Sequence, residues 1–197
     1  MLQYLVFVGA AVQLFGITFY IKETIRGKTK PNRVSWLLWS IAPFIAVAAA
    51  ISDGVGWSIL PVFMAGFNPS LVFIASFINP KAYWKLTRFD YLCGFFSILA
   101  LVLWGVTREP IVAVAFAIVS DAFASVPTIA KMWKYPKTET VTPFFASLFS
   151  AGTSFLAIQT WNFTAYAFPV YLDIVSNVII FAFYRRRLWA HERKSVL

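Results

Sequence analysis

Two aspartates stand in runs that hold no lysine, arginine or histidine. Asp121 lies in AFAIVSDAFASVP, residues 115–127, and Asp173 in PVYLDIVSNVIIFAFY, residues 169–184. A carboxylic acid in such surroundings can be neutral when dry and charged when wet, which is what proton coupling needs, and when charged it can hold a cationic group of a solute. Asn177 follows Asp173 by four residues and Ser125 follows Asp121 by four, so each acid shares a helical face with a polar residue one turn on. Gln13 and Asn68 add amides able both to donate and to accept hydrogen bonds. The blander reading of all of these is that they fasten helices together. Two acids at matching positions favour a binding role over that one.

The elements that must position these groups are helices in lipid. The 197-residue chain is 60% hydrophobic and 13% charged, where a soluble domain carries about 25% charged residues. Apolar stretches predict seven spans, at 4–21, 34–52, 57–78, 91–107, 111–130, 141–160 and 164–184. The fold class expected is all-α membrane, because lipid cannot satisfy an open backbone and no barrel-like alternation is present. In this register Gln13, Asn68, Asp121 and Asp173 all fall near the middle of their spans. A central aspartate costs about 2.5–3.5 kcal/mol on insertion scales, so both acids are expected to face one shared wet pocket rather than lipid.

Sixteen of the seventeen Lys and Arg residues lie in loops 22–33, 79–90 and 131–140 or in the tail from Arg185, which seven spans place on one face; Arg108 is the exception. The positive-inside rule then puts the N-terminus outside and the C-terminus in the cytoplasm, with a bacterial inner membrane as the expected location and no nucleic acid as partner. Trp36, Trp39, Trp84, Trp133 and Trp189 near one face and Trp57, Trp104 and Trp161 near the other read as an interfacial belt, leaving no tryptophan at the midplane to stack on a ligand. The opening MLQYLVFVGAAVQLFG lacks a basic leader region and reads as a retained first helix. Cys93 stands alone and reads as a small buried apolar residue, and His191 reads as solvated in the charged tail. With no His or Cys cluster and only GKT at 27–29 of a phosphate loop, no metal, cofactor or nucleotide is expected.

The chain also repeats. PVFMAGFNPSLVFIASF from Pro61 matches PVYLDIVSNVIIFAFYR from Pro169 at an offset of 108, and VSWLLWS from Val34 matches VTPFFAS from Val141 at 107. The first helices match less well. Residues 1–90 are expected to form one triple-helix bundle, 91–110 a linker helix, and 111–197 a second bundle with a basic tail. The linker restores the orientation of the second triplet, so the two repeats run parallel in a 3-1-3 plan. Pro43 and Pro127, inside their spans, read as hinges; Pro143 reads as a first-turn proline that breaks nothing.

With its 3-1-3 plan and the stretch VPTIAKMWKYPKTETVTPFFAS, the chain resembles the PQ-loop superfamily, which includes the SWEET sugar transporters. Pro127, the basic loop 131–140 and Thr142–Pro143 carry the likeness. Thr128 replaces the glutamine of the name-giving dipeptide, and Thr18 stands where the first repeat would have its proline. The resemblance implies a transporter fold with an asparagine in each third helix, for which Asn68 and Asn177 are the candidates, although the repeat offset pairs Asn68 with Ser176. The chain also resembles bacterial membrane proteins with a GKTKPNR loop, from which no function carries over.

The function expected is therefore a membrane carrier, not an enzyme. It would move a small polar solute (a sugar, an amino acid or a related molecule) by alternating access, coupled to protons through Asp121 and Asp173, with Asn177, Asn68 and Gln13 as hydrogen-bonding groups. Self-association is left open. One alternative is an intramembrane aspartyl hydrolase, since paired carboxylates can share a proton and activate water; the motifs of the presenilin-type proteases are missing around both acids. Another is a membrane receptor or scaffold, for which outer loops as short as SDGVG and TREP leave little surface.

Overall fold

The structure is a computed structural model in which residues 2–82, 84–107 and 109–195 are described, and among them there is no strand. Arg108 lies outside the described residues, as do the side chains of Trp104, Trp189, Arg186, Arg187, His191, Arg193 and Lys194. Seven α-helices appear where seven spans were expected: α1 (Leu5–Ile25), α2 (Arg33–Ser52), α3 (Leu60–Ala75), α4 (Arg88–Thr107), α5 (Pro110–Lys134), α6 (Thr142–Ala157) and α7 (Phe163–Ser195). Among the described residues, five segments are long and apolar enough to cross a membrane: α1, α2, α3 with the turn before it, α5, and α7 as far as Arg185. At 16 residues, α6 is about 24 Å long, short of a hydrocarbon core of about 30 Å.

Local signals set the helix ends. The Asn32 side chain caps α2 by accepting from the N–H groups of Val34 and Ser35, and its amide donates to Asp90 Oδ1 at 2.6 Å. Asp90 accepts in turn from the Thr87 N–H and hydroxyl at 2.5 and 2.7 Å, which ties the start of α4 to that of α2. Prolines sit in the first turns of α3, α5 and α6, where a missing N–H leaves no intrahelical bond unmade. The two glycines with positive φ, Gly27 and Gly54, lie just beyond the ends of α1 and α2.

Six helices close a ring. Going round it, each packs on the next in the order α1, α3, α2, α5, α7, α6 and back to α1; α4 stands outside, against α5 and α2. The tightest seam is α1 on α6. A Cβ added at Gly16 would come within 2.5 Å of Ala146 Cβ, and one at Gly9 within 2.4 Å of Thr153 Oγ1. Small residues let two backbones approach in this way. The outside of the ring is apolar, with Phe15, Ile51, Ile74 and Phe77 all more than half exposed, as suits a lipid-facing surface.

One register runs through the first helix of each sequence repeat. Every buried residue of α1 has a buried residue of α5 exactly 108 positions on: Val6 and Val114, Gly9 and Ala117, Gln13 and Asp121, Gly16 and Ala124, Ile17 and Ser125, Tyr20 and Thr128, Thr24 and Met132. Residue identity had matched these two helices least. Burial matches them best, because the same side of each helix turns inward although the residue types differ.

Two apolar layers fill the ring. One joins the later half of α2 to the early halves of α3, α5 and α7, with Phe168 its largest fully buried side chain. The other joins the opposite helix ends and holds Tyr20, Trp36, Trp39 and Met132.

Candidate functional site

Between these layers lies a cavity of about 70 Å³. Every helix of the ring contributes to its wall: α1 through Gln13 and Ile17, α2 through Trp36 and Trp39, α3 through Met64, Asn68 and Pro69, α5 through Asp121, α6 through Pro143, Phe144 and Ser147, and α7 through Leu172 and Ser176. The offsets of the sequence repeat reappear here. Gln13 and Asp121, Asn68 and Ser176, and Met64 and Leu172 are each 108 apart, and Trp36 and Pro143 are 107 apart.

Three of the five expected binding residues are thus brought together. Gln13, Asn68 and Asp121 are 4%, 3% and 3% exposed. Asp121 Oδ2 accepts from the Tyr171 hydroxyl at 2.7 Å, and Trp39 Nε1 donates to the Asp121 backbone oxygen at 3.3 Å. Gln13 Nε2 approaches Ser147 Oγ at 3.4 Å, while Gln13 Oε1 and Asn68 Oδ1 are buried with no protein partner. A buried polar atom left in this state is costly unless a ligand or water meets it.

Asp173 and Asn177 do not line the cavity, and the expectation of one pocket shared by both acids does not hold. The reason is helical phase. Leu172, Val175, Ser176 and Ile179 face the cavity; Asp173 projects about 100° to one side of Leu172, and Tyr171, which reaches Asp121, about 100° to the other. Asn177 is exposed and donates to the Asp173 backbone oxygen at 2.8 Å, while Asp173 is half-buried, with its Oδ1 buried and without a protein partner. The sequence placed both acids at one depth, but depth says nothing about azimuth.

The tryptophans require the second correction. Trp36 and Trp39 are 2% and 7% exposed and belong to the cavity wall, not to an interfacial belt. Their rings meet at 5.2 Å and 85°, and Trp39 meets Phe144 at 6.1 Å and 70°. They begin one turn inside the start of α2, which suggested the interface, yet an indole is long enough to reach inward from there. Their spacing of three, which puts both on one face, was the available signal. Trp57 and Trp161 are exposed, as a belt requires.

Pro43 and Pro127, the expected hinges, are buried inside α2 and α5, which continue through them. Neither lines the cavity, whereas Pro69 does. Pro69 has no N–H to offer the carbonyl of Ala65 one turn back, and Ala65 also lines the cavity. Ser125 is not on the wall either; its hydroxyl donates to the Ala122 oxygen at 2.8 Å.

Packed groups lie beyond the cavity toward each end of the ring. Along α7, Leu172 lines the cavity, buried Phe168 lies one turn away, and Ala165 one turn further lines a polar pocket of about 230 Å³ with Gln3, Asp53, Trp57 and Asn162. At the opposite end, fully buried Tyr20 donates to Glu139 Oε2 at 2.6 Å. Glu139 Oε1 is paired with Lys131 Nζ at 2.5 Å, with both side chains almost wholly buried. Lys131 also donates to the Lys30 backbone oxygen and stands 4.5 Å from the Trp84 ring. Three loops are knotted here, and the Lys30 N–H to Thr138 oxygen bond at 3.1 Å and the Thr29–Thr140 hydroxyl contact at 2.6 Å add to the closure. The sequence reading treated Lys131 as a topology-setting loop cation and missed this pair; the eight-residue spacing to Glu139 across a turn gives no local cue.

The closed ring, the central cavity and its single buried acid are also what comparison with known proteins has to be set against. No family model matches the chain, and no curated protein or solved structure does.

Proposed function

We propose that this chain is an integral membrane carrier that moves a small polar solute through the central cavity by alternating access. In this reading all seven helices cross the bilayer. α1–α3 and α5–α7 are two parallel copies of one three-helix unit, joined by α4, with the N-terminus outside and the basic face in the cytoplasm. The pairing of neighbours supports it. In each unit the third helix lies between the first and second, and across the units α1 packs on α6 as α5 packs on α2, which is what a two-fold relation along the membrane normal requires. The same plan underlies the resemblance to the PQ-loop and SWEET-like transporters.

The observation that carries the proposal is the placement of Gln13, Asn68, Asp121 and Ser176, two from each repeat, around one cavity between the units. Carriers bind at the midplane, between repeats, and rock about that point. Asp121 is the residue assigned to proton coupling, and Gln13 and Asn68 are assigned to solute hydrogen bonding. Asp173 and Asn177 drop out of the binding set. Their distance from the cavity also favours a carrier over a paired-carboxylate hydrolase, which needs two acids facing one water. The test is uptake by proteoliposomes of a panel of sugars, amino acids and amines, with and without a proton gradient. Saturable uptake of at least one solute, lost in Asp121→Asn, is the expected result. A panel wholly excluded by an otherwise folded protein overturns the proposal.

A further inference from the structure

The chemistry of the cavity wall narrows the solute. Among the described residues no Lys, Arg or His lines the cavity, and the one ionisable group that does is Asp121. Three polar atoms of wall residues lack a protein partner: the acceptors Gln13 Oε1 and Asn68 Oδ1 and the donor Trp36 Nε1. Each belongs to a side chain more than nine-tenths buried. Three aromatic rings, Trp36, Trp39 and Phe144, stand at steep angles to one another along the same wall. Rings tilted in this way present both edges and faces to the space between them, and an aromatic face attracts a cation through its quadrupole.

An anionic solute would meet Asp121 with no counter-charge. A zwitterion such as an amino acid would leave its carboxylate without a cationic partner against a largely apolar wall, a penalty. A neutral sugar would leave Asp121 without a counter-charge, and its many hydroxyls would meet few polar partners on a wall that is largely apolar. Volume acts in the same direction. About 70 Å³ is well below the roughly 300–1,000 Å³ of pockets for drug-sized ligands, and corresponds to a molecule of a few heavy atoms.

We infer that the cavity is a site for a small organic ammonium ion without a carboxylate: its N–H groups donate to the Asp121 carboxylate and the amide oxygens of Gln13 and Asn68, and its carbon atoms lie against Trp36, Trp39 and Phe144. This rests on the cavity being the solute site of the proposed carrier, and it adds the charge and class of the solute.

The test is binding to the purified full-length protein in detergent micelles, read by tryptophan fluorescence and by thermal stability. The probes are methylammonium and ethylammonium chloride, against sodium chloride, glucose and glycine at equal ionic strength. A saturable fluorescence change and a raised Tm with the ammonium salts alone are expected. Loss of the charged hydrogen bond in Asp121→Asn weakens the response about tenfold or more. Trp39→Leu weakens it less than Asp121→Asn but measurably, by removing a ring face. Asn68→Asp, which adds a second acid to the wall and keeps the shape, strengthens it, so a loss of fold in one variant does not leave the idea unanswered.

A wild-type response to glucose or glycine instead, or an ammonium response no larger than that to sodium, overturns the inference. Saturable ammonium binding without uptake into liposomes upholds the inference and removes the carrier. Proton-driven uptake of a neutral solute with no ammonium binding does the reverse.

Discussion

Asp121 and Asp173 are the same residue type at the same expected depth, and the fold gives them different surroundings. Asp121 is held by Tyr171 on the cavity wall, whereas Asp173 lies off that wall beside Asn177. Their substitutions should therefore separate. Asp121→Asn is expected to lower solute uptake about tenfold to a hundredfold, the range of one hydrogen bond to a charged group, and to flatten its dependence on pH. Asp173→Asn is expected to leave uptake within about twofold, the scatter of a change made away from the site. Initial rates in proteoliposomes between pH 5.5 and 8 check both, and equal losses in the two variants would refute the division between the two acids. Tyr171→Phe removes a single donor to Asp121 and should fall between them, at a loss of about 0.5–1.5 kcal/mol of solute binding.

At the scale of elements, the closure of the bundle rests on a backbone seam and an ionic knot. Gly16 meets Ala146 Cβ, an atom that cannot rotate away, so a side chain there must push α1 from α6. Gly16→Val is expected to destabilise the protein by about 1–3 kcal/mol, the usual effect of overpacking. Gly9→Ala should be milder, because the atom nearest its added Cβ is a threonine hydroxyl that can turn, although Ser150 Cα limits the room at 3.1 Å. The knot behaves differently. Lys131→Met leaves Glu139 buried without its partner and should cost about 3–5 kcal/mol, while the double change Lys131→Met with Glu139→Leu should recover most of that loss. Thermal unfolding in one detergent, run as a double-mutant cycle, measures both; a double variant as unstable as the single one would show that the pair is not the unit.

For the whole molecule, the proposed orientation makes a prediction about the two ends. Loop residues Lys28 and Lys137 belong to the knotted end, and Gly54 and Gln159 to the other. Cys93, the single native cysteine, is buried, so cysteines introduced at these positions can be read with little background. Lys28→Cys and Lys137→Cys should react with a membrane-impermeant maleimide only in opened cells, and Gln159→Cys in intact ones. The reverse pattern would invert the topology without disturbing the fold, and reaction of both ends from one side would mean that the number of spans is wrong.

Composition and the recurrence of long apolar runs determined that this chain is helical and suited to a bilayer, and six of the seven helices end within a few residues of the expected spans, while α7 runs on to Ser195, past the expected end at 184. Those are one-dimensional properties: a helix in lipid satisfies its own backbone whatever lies beside it, so length and hydropathy suffice to locate it. Matched segments 107 and 108 residues apart likewise announced a repeat, and Gln13, Asn68 and Asp121 stood out as polar residues at mid-span. Which of them would meet was decided only in three dimensions. The side of α7 that turns inward sets Ser176 on the cavity wall, brings Tyr171 to Asp121 and leaves Asp173 off the wall; the close approach of α1 to α6 sets where Gln13 lies; and the loops folded together at one end turn Lys131 from a surface charge into a buried partner of Glu139. Each of these depends on the rotation of one helix against another, and that rotation is chosen by the sum of all packing contacts rather than by any local stretch of residues.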